Sequence, residues 1–530
     1  MTHQHRQEIM EGLEGEQADV EKGGGKRRTD DGLLRDSTNG TTPASNPTSK
    51  YKSYLARFEE KLIAYNLETR GIKRVEPAER QTLGYAQVFV LWFSINLAAN
   101  NITLGMLGPA VFELSFLDSC LCSVFGALVG CLAIGYTAHF GPRSGNRTMI
   151  FARFTMGWYP SKLVVILNII VLLGYSLIDC VVAGQILSAV SPNNSLSIVV
   201  GIIIVALLTW GITTFGYSVF HFYERWNWLP QLIVCCILAG VAGPKFDTTS
   251  PSVVTGRTLI GNRISFFSIC LSAAITYGGA AADYFVYYPE ETPAWQIGSM
   301  TIAGLIVSFT FAFVLGIGLA SGVTANTSWA EAYKISQGAL IVEGVRPLGS
   351  FGSFCGVIIA LGLIANLIAP TYSAGVDFQS LGHNFQRVPR VVWNTFGVII
   401  YTICALAGRG HLAEIFTNFL AIMGYFVCIF IAICLEEHFI FRSRSKNGNH
   451  GFDWEAWDQQ DRLPLGIAAL IAFLVGWAGA ILSMAQVWYI GPIARLVGDY
   501  GADMGNYVGF VWTAIIFPPM RWYELKRFGR

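Results

Sequence analysis

About twelve times along this chain of 530 residues, the sequence runs for some twenty residues almost without charge. That is the length a helix needs to cross the hydrocarbon core of a bilayer. Inside a bilayer the backbone must satisfy its own hydrogen bonds, so such runs fold as helices or not at all. The runs fall at roughly 85–110, 117–138, 161–190, 197–217, 227–243, 264–286, 295–321, 350–379, 391–408, 411–434, 464–485 and 504–520. Charged residues make up only 13% of the chain and hydrophobic ones 53%, with a mean hydropathy of +0.46. A soluble protein carries about 25% charge. The expected fold is therefore all-α and integral to the membrane, with about twelve transmembrane helices in a transporter domain over 85–520.

The rest of the chain is polar. Residues 1–49 are rich in Gly, Ser, Thr and charge (Gly23-Gly24-Gly25-Lys26-Arg27-Arg28) and read as a disordered cytoplasmic tail, not a signal peptide. Residues 50–84 form a pre-membrane segment. Within it Tyr54, Leu55, Phe58, Leu62 and Tyr65 share a helical face amid Lys50, Lys52, Arg57 and Lys61, which suits an interfacial helix or one packed on the protein's inner face. Residues 521–530 read as a short C-terminal tail.

Orientation follows from the cations. Arg143, Arg147, Arg153 and Lys162 follow the second run; Arg442, Arg444, Lys446 and Arg462 follow the tenth; Arg521, Lys526, Arg527 and Arg530 end the chain. The connections after the first and third runs carry no Lys or Arg. The positive-inside rule then places both termini in the cytoplasm, against a weak counter-signal from Lys245, Arg257 and Arg263 in 244–263 and from the acidic inner 287–294. The basic residues form no single stripe, which excludes a nucleic-acid interface. The eleven cysteines lie in or beside apolar runs without zinc-ligand spacing and read as small apolar residues. No G-x-x-x-x-G-K-[ST], H-E-x-x-H or G-x-S-x-G occurs. An ATP-driven pump and the common soluble hydrolases thus lack their motifs, the chain does not read as an enzyme, and an ion gradient becomes the natural energy source.

Polar side chains within the hydrocarbon are costly and mark function. Asp179 follows an uncharged run from Leu163 to Ile178, and Asn168, Tyr175 and Asp179 fall on one helical stripe. That stripe is either the wall of a solute or proton site or an interhelical clamp. In the first run Ser94, Asn96, Asn100 and Asn101 precede Gly105-Met106-Leu107-Gly108-Pro109; in the sixth stands Tyr277-Gly278-Gly279-Ala280-Ala281-Ala282-Asp283-Tyr284. Both patterns support an unwound stretch, and two interrupted helices at the heads of two five-helix halves are the mark of an inverted-repeat transporter. Close glycine packing is the alternative. In the eighth run Asn366 precedes Pro370, which frees a carbonyl. An amide such as Asn366 suits the donor–acceptor edge of a nucleobase.

Several short motifs give these features a family. They are Glu68-Thr-Arg-Gly-Ile-Lys-Arg-Val75, Leu107-Gly-Pro109, Phe140-Gly-Pro-Arg-Ser-Gly-Asn-Arg-Thr-Met149 and Ala282-Asp-Tyr284, then Arg387-Val-Pro-Arg390, Ala407-Gly-Arg409 with His411, Asn418-Phe-Leu420 and Glu436-Glu-His438. In this order, over roughly 68–530, the chain resembles the fungal purine–cytosine permeases of the nucleobase:cation symporter-1 family. The resemblance implies a LeuT-type fold of two inverted five-helix repeats plus two extra helices, and a solute site among helices one, three, six and eight. It implies proton-coupled uptake of purine bases or cytosine across the plasma membrane, with the proton as coupling ion, sodium as the lesser alternative and no cofactor or metal. The small heteroaromatic solute and the lipid bilayer are the partners; no oligomeric state is implied. The site residues by this reading are Ser94, Asn96, Tyr175, Asp179, Tyr277 and Asn366, with Asp179 as candidate proton carrier.

The chain departs from the family pattern where the solute would sit. Tyr175 follows Gly174 in place of Trp, Asp179 replaces an Asn, Tyr277 stands at a Trp position, and Asn366-Leu367-Ile368-Ala369-Pro370 replaces Asn-Asn-Ile-Pro-Asn. Tyr still offers an aromatic face, whereas an ionised Asp accepts but cannot donate. A carrier of a cationic heteroaromatic, vitamin- or alkaloid-like, is therefore the alternative within transport. A non-transporting nucleobase receptor and a passive channel are the alternatives outside it.

Overall fold

A computed structural model describes residues 71–530 except 82–83, 193–194, 216–225 and 444–450. The tail 1–49 and the amphipathic stretch 50–66 lie outside the described residues. Each of the twelve apolar runs is a helix. Span 1 is a pair, Tyr85–Asn96 and Ala99–Ala110, bent by 60°. Spans 2 to 5 are Phe116–Ala138, Pro160–Val190, Ile198–Phe215 and Trp228–Ala242. Span 6 is Gly256–Ile275, followed by 3-10 turns over Thr276–Gly279 and Ala281–Tyr284. Spans 7 to 9 are Ala294–Ser321, Ser350–Ser380 and Arg390–Gly408. Span 10 runs over Leu412–Arg442. Spans 11 and 12 are Ile467–Ser483 and Gly505–Phe528.

The break in span 1 lies before the glycine–proline run. Leu97 and Ala98 leave helical geometry, which frees the carbonyls of Ile95 and Asn96. Asn366 Nδ2 donates to the first at 2.8 Å and Asn101 Nδ2 to the second at 2.7 Å. Asparagines thus replace the missing rungs, each satisfying a buried carbonyl that would otherwise cost about 1–3 kcal/mol. The glycines have another task. A Cβ at Gly105 would stand 2.3 Å from the Phe313 carbonyl oxygen, and one at Gly316 would collide with the Ile102 carbonyl. Spans 1 and 7 therefore pack backbone to backbone, as small residues allow between membrane helices.

Span 12 extends to Phe528, so the C-terminal boundary falls later than the hydropathy suggests. Arg521 is buried there, its guanidinium bidentate on Glu437 (2.8 and 3.0 Å) and bonded to Glu524 at 2.7 Å. Both described ends of the chain lie on one face: Arg74 Nε donates to the Ser144 carbonyl, Arg153 to the Trp457 carbonyl and Arg530 to the Asp461 carbonyl. The N-terminal segment, the connection after span 2, the connection after span 10 and the C-terminus thus meet at an arginine-rich end, consistent with an even number of crossings.

Candidate functional site

The two interrupted helices face spans 3 and 8 at mid-bundle. The Tyr277 ring, in the first 3-10 turn of span 6, lies 5.6 Å from that of Tyr175 on span 3, tilted by 37°. The edge of Trp92 meets it at 6.0 Å, and Phe309 of span 7 at 6.4 Å. Tyr277 stays partly exposed although its neighbours in the chain are buried. The Asn366 side chain lies near its hydroxyl. Tyr175 is anchored: its hydroxyl donates to the Ala273 carbonyl at 3.0 Å and lies against Thr276 Oγ1.

Asp179 is placed differently. It is fully buried one turn from Tyr175, with Asn100 as the polar side chain turned toward it. Neither carboxyl oxygen has a hydrogen-bond partner at bonding distance among the described residues. The hydroxyl of Tyr401, from span 9, is close by and also unpartnered. A buried carboxyl with no protein donor must be met by a proton, by water or by a solute.

The six residues expected from the sequence thus divide. Tyr175, Asp179, Tyr277 and Asn366 come together. Asn366 is shared, its amide hydrogens serving the freed Ile95 carbonyl while the same side chain reaches Tyr277. Ser94 is buried beside that carbonyl on the break. Asn96 turns its Nδ2 to the Trp92 carbonyl of its own helix at 3.2 Å and leaves its Oδ1 unpartnered. On span 3 the clamp role falls to Asn168, which donates to the Gly279 carbonyl at 3.1 Å and to Asp377 Oδ2 at 2.8 Å.

That clamp leads to a cluster the sequence reading missed. Asp283, in the second 3-10 turn of span 6, accepts from the Thr148 amide at 2.7 Å and from its hydroxyl at 2.9 Å. Asp377 of span 8 is its neighbour, and Arg147 lies near both carboxyls. Arg147 also donates to the Gly71 carbonyl at 3.2 Å and to the Tyr372 hydroxyl at 3.1 Å. The Arg390 guanidinium covers the Tyr372 ring at 4.3 Å. Asp377 carries the same signal as Asp179, a carboxyl within an apolar run, but near the run's end. Trp92 gave no signal, being one aromatic among many.

Two interrupted helices carrying aromatic and amide groups at mid-bundle, among twelve spans in the described residues, define a secondary transporter of the LeuT-type architecture. The comparisons agree. The family model described as a permease for cytosine/purines, uracil, thiamine, allantoin matches residues 75–501. The purine-cytosine permease fcyB of Emericella nidulans is 35% identical over 93% of this chain and 96% of its own length. The vitamin B6 transporter TPN1 of Saccharomyces cerevisiae is 32% identical, with 90% of each chain covered. Among solved structures, the nucleobase-cation-symport-1 family transporter MHP1, closed with bromovinylhydantoin bound, superposes with a TM-score of 0.61 at 14% identity, over 87% of this chain and 96% of its own. The fold is shared with that transporter, and the chain belongs to the cytosine/purine permease family.

Proposed function

We propose that this protein carries a purine base or cytosine across the plasma membrane together with a proton, with the arginine-rich end in the cytoplasm. The observation that carries this reading is the partly exposed Tyr277 ring, with the Asn366 side chain near its hydroxyl and Asp179 close by. A flat heteroaromatic solute can stack on that ring and bond along one edge, a contact worth about 1–3 kcal/mol for nucleobases on aromatic side chains. The purine-cytosine permease among the relatives supports this solute class. The arginines and lysines that follow the second and tenth runs and end the chain favour the proposed orientation.

A second reading is favoured by Asp179. Among the described residues no Lys or Arg acts on this carboxyl, and neither oxygen has a hydrogen-bond partner at bonding distance. A protonated ring nitrogen would supply donor and charge together, which makes a cationic heteroaromatic the alternative solute. The vitamin B6 transporter among the relatives keeps that class in view. The test is uptake of labelled cytosine, adenine and pyridoxine in cells lacking their own permeases, with and without a protonophore. Concentrative, protonophore-sensitive uptake of cytosine or adenine is expected. Uptake of pyridoxine alone would select the second reading, and failure of every planar heteroaromatic to enter or compete at millimolar concentration would refute both.

A further inference from the structure

We propose a second solute site at the end of the bundle opposite the arginine-rich face: an acid-lined antechamber that takes a single-ring organic cation carrying N–H donors. The site is a cavity of about 430 Å³ bounded by the ends of spans 1 and 6, the start of span 10 and the 484–504 connection. An apolar cavity of about 150 Å³ already holds benzene, so a hydrated ring fits here. Its walls carry Glu113, Asp499 and Asp503, together with Tyr500 and Thr417, and no lysine or arginine. Three carboxylates around one recess, uncompensated within it, concentrate cations.

The wall also holds an unmet acceptor. Gln486 is 5% exposed and lines the cavity. Its Nε2 donates to the Tyr425 hydroxyl at 2.6 Å and to Asp503 Oδ2 at 2.9 Å, while the Tyr425 hydroxyl donates to the same carboxylate. This bracing fixes the amide and leaves Oε1 with no partner. A fixed, buried acceptor is satisfied by a ligand donor, which an N–H cation supplies and a quaternary one does not. Glu113 is held at φ +54°, the only non-glycine residue with positive φ among the described residues, and its carbonyl is fastened by the Val253 amide at 3.0 Å. The fold thus maintains a disfavoured conformation at the cavity wall.

The cavity stands on the two helices that build the central site. Asn262 of span 6 donates to the Phe112 carbonyl, just beyond span 1, at 2.8 Å. Ile269, in the cavity wall, lies eight residues before Tyr277, or about 12 Å along a helix axis. A solute leaving the antechamber therefore has the Tyr277 ring about two turns ahead. The proposal rests on the transport reading and its orientation, which make this face external.

Thr417→Cys supplies the reporter, because the Thr417 hydroxyl bonds only within its own helix, to the Ala413 and Glu414 carbonyls. Tyr500→Cys, exposed at the wall, is the second reporter should the first fail to reach the surface. Intact cells are treated with impermeant methanethiosulfonates, one trimethylammonium and one sulfonate, and modification at the reporter is followed by peptide mass. The cationic reagent is expected to react about tenfold faster, an advantage that shrinks in 0.5 M salt, where the Debye length is about 4 Å, or on Glu113→Gln/Asp499→Asn. 4-Aminopyridine, cationic at neutral pH, slows modification at millimolar concentration, and neutral benzamide does not. Protection persists with Asp179→Ala, which separates this site from the central one, and it weakens with Gln486→Leu. Equal reagent rates, no protection, protection lost with Asp179→Ala, or a reporter unreachable from outside would each overturn the proposal. Failure of the uptake tests alongside persistent protection would instead overturn the transport reading.

Discussion

Asp179 offers the sharpest test because its structural and functional roles separate. Among the described residues neither of its carboxyl oxygens has a partner at bonding distance, Asn100 being the polar side chain turned toward it. Asp179→Asn or Asp179→Ala therefore breaks no hydrogen bond formed among those residues, and the fold should change by less than about 1 kcal/mol. A charge-assisted bond to solute would be lost, worth about 1.5–3 kcal/mol, or roughly a tenfold to 150-fold rise in KM where KM follows binding. Asn366→Ala is the contrast. It orphans the Ile95 carbonyl at the break in span 1, so surface level and thermal stability should fall along with affinity. Initial uptake rates over a solute series, together with surface labelling and thermal unfolding in detergent, read both effects. Asp179→Asn distinguishes further: a proton carrier loses accumulation against a gradient but keeps exchange, whereas a solute ligand loses affinity. Unchanged KM, selectivity and accumulation in both Asp179 variants would refute the assignment, and so would loss of surface expression in the alanine variant.

Three further outcomes are expected. Tyr277→Phe keeps the ring and should shift KM less than Tyr277→Ala, for which a loss of about 1–3 kcal/mol predicts roughly a fivefold to 150-fold rise, measured by competition with adenine and with pyridoxine. Arg521→Ala takes the bidentate partner from buried Glu437, to which Arg442 stays bonded at 2.8 Å, and the ion-pair partner from buried Glu524, and should destabilise the protein more than Arg462→Ala at the exposed Asp453 pair, for which less than about 1 kcal/mol is expected, both read by thermal unfolding. Burial raises the Asp503 carboxyl from 3.8 to about 6, with Tyr425, Gln486 and the Gly505 amide bonded to it and Glu113 and Asp499 in the same cavity. Stability from this group is fully present below pH 3.8 and lost as pH rises through about 6, a change of about 3 kcal/mol that Asp503→Asn should flatten in a thermal-unfolding series.

The fold was legible because the bilayer imposes its own ruler. A run of some twenty apolar residues has few alternatives to a helix, and twelve such runs became twelve spans. Asp179 was legible for the same reason, as a carboxyl where none should be. The break in span 1 was half legible: the polar residues marked the region, but its position depends on Asn366, 271 residues away, and on a glycine run that turned out to pack against span 7. The Asp283–Thr148 pairing joins a helix turn to the first residue of the helix Thr148–Met156, 135 residues distant, and no local pattern announces it. Arg521 misled, because falling hydropathy reads as the end of a helix, whereas buried Glu437 and Glu524 compensate its charge and let the helix continue.

The two groups of buried carboxyls suit different tasks in the proposed coupling. Asp179 lies near Tyr277, with Asn100 turned toward it and no partner at bonding distance among the described residues, so solute and proton can change its surroundings directly. Asp283 and Asp377 are instead stitched to several elements at once: Thr148 after span 2, Asn168 on span 3, the 3-10 turns of span 6, span 8, and Arg147, which itself holds Gly71 and Tyr372. Opening a path to the arginine-rich face between spans 3, 6 and 8 would break several of these bonds together, leaving two carboxyls and one guanidinium to be resolved by water or by a proton. A proton bound at Asp179 is therefore suited to registering the solute, and a proton at the Asp283–Asp377 pair to easing release of that face. Coupling in this scheme requires that solute at Tyr277 alter the 3-10 turn that continues directly into Asp283. Only five residues separate the two, with no regular α-helix between them to buffer the movement.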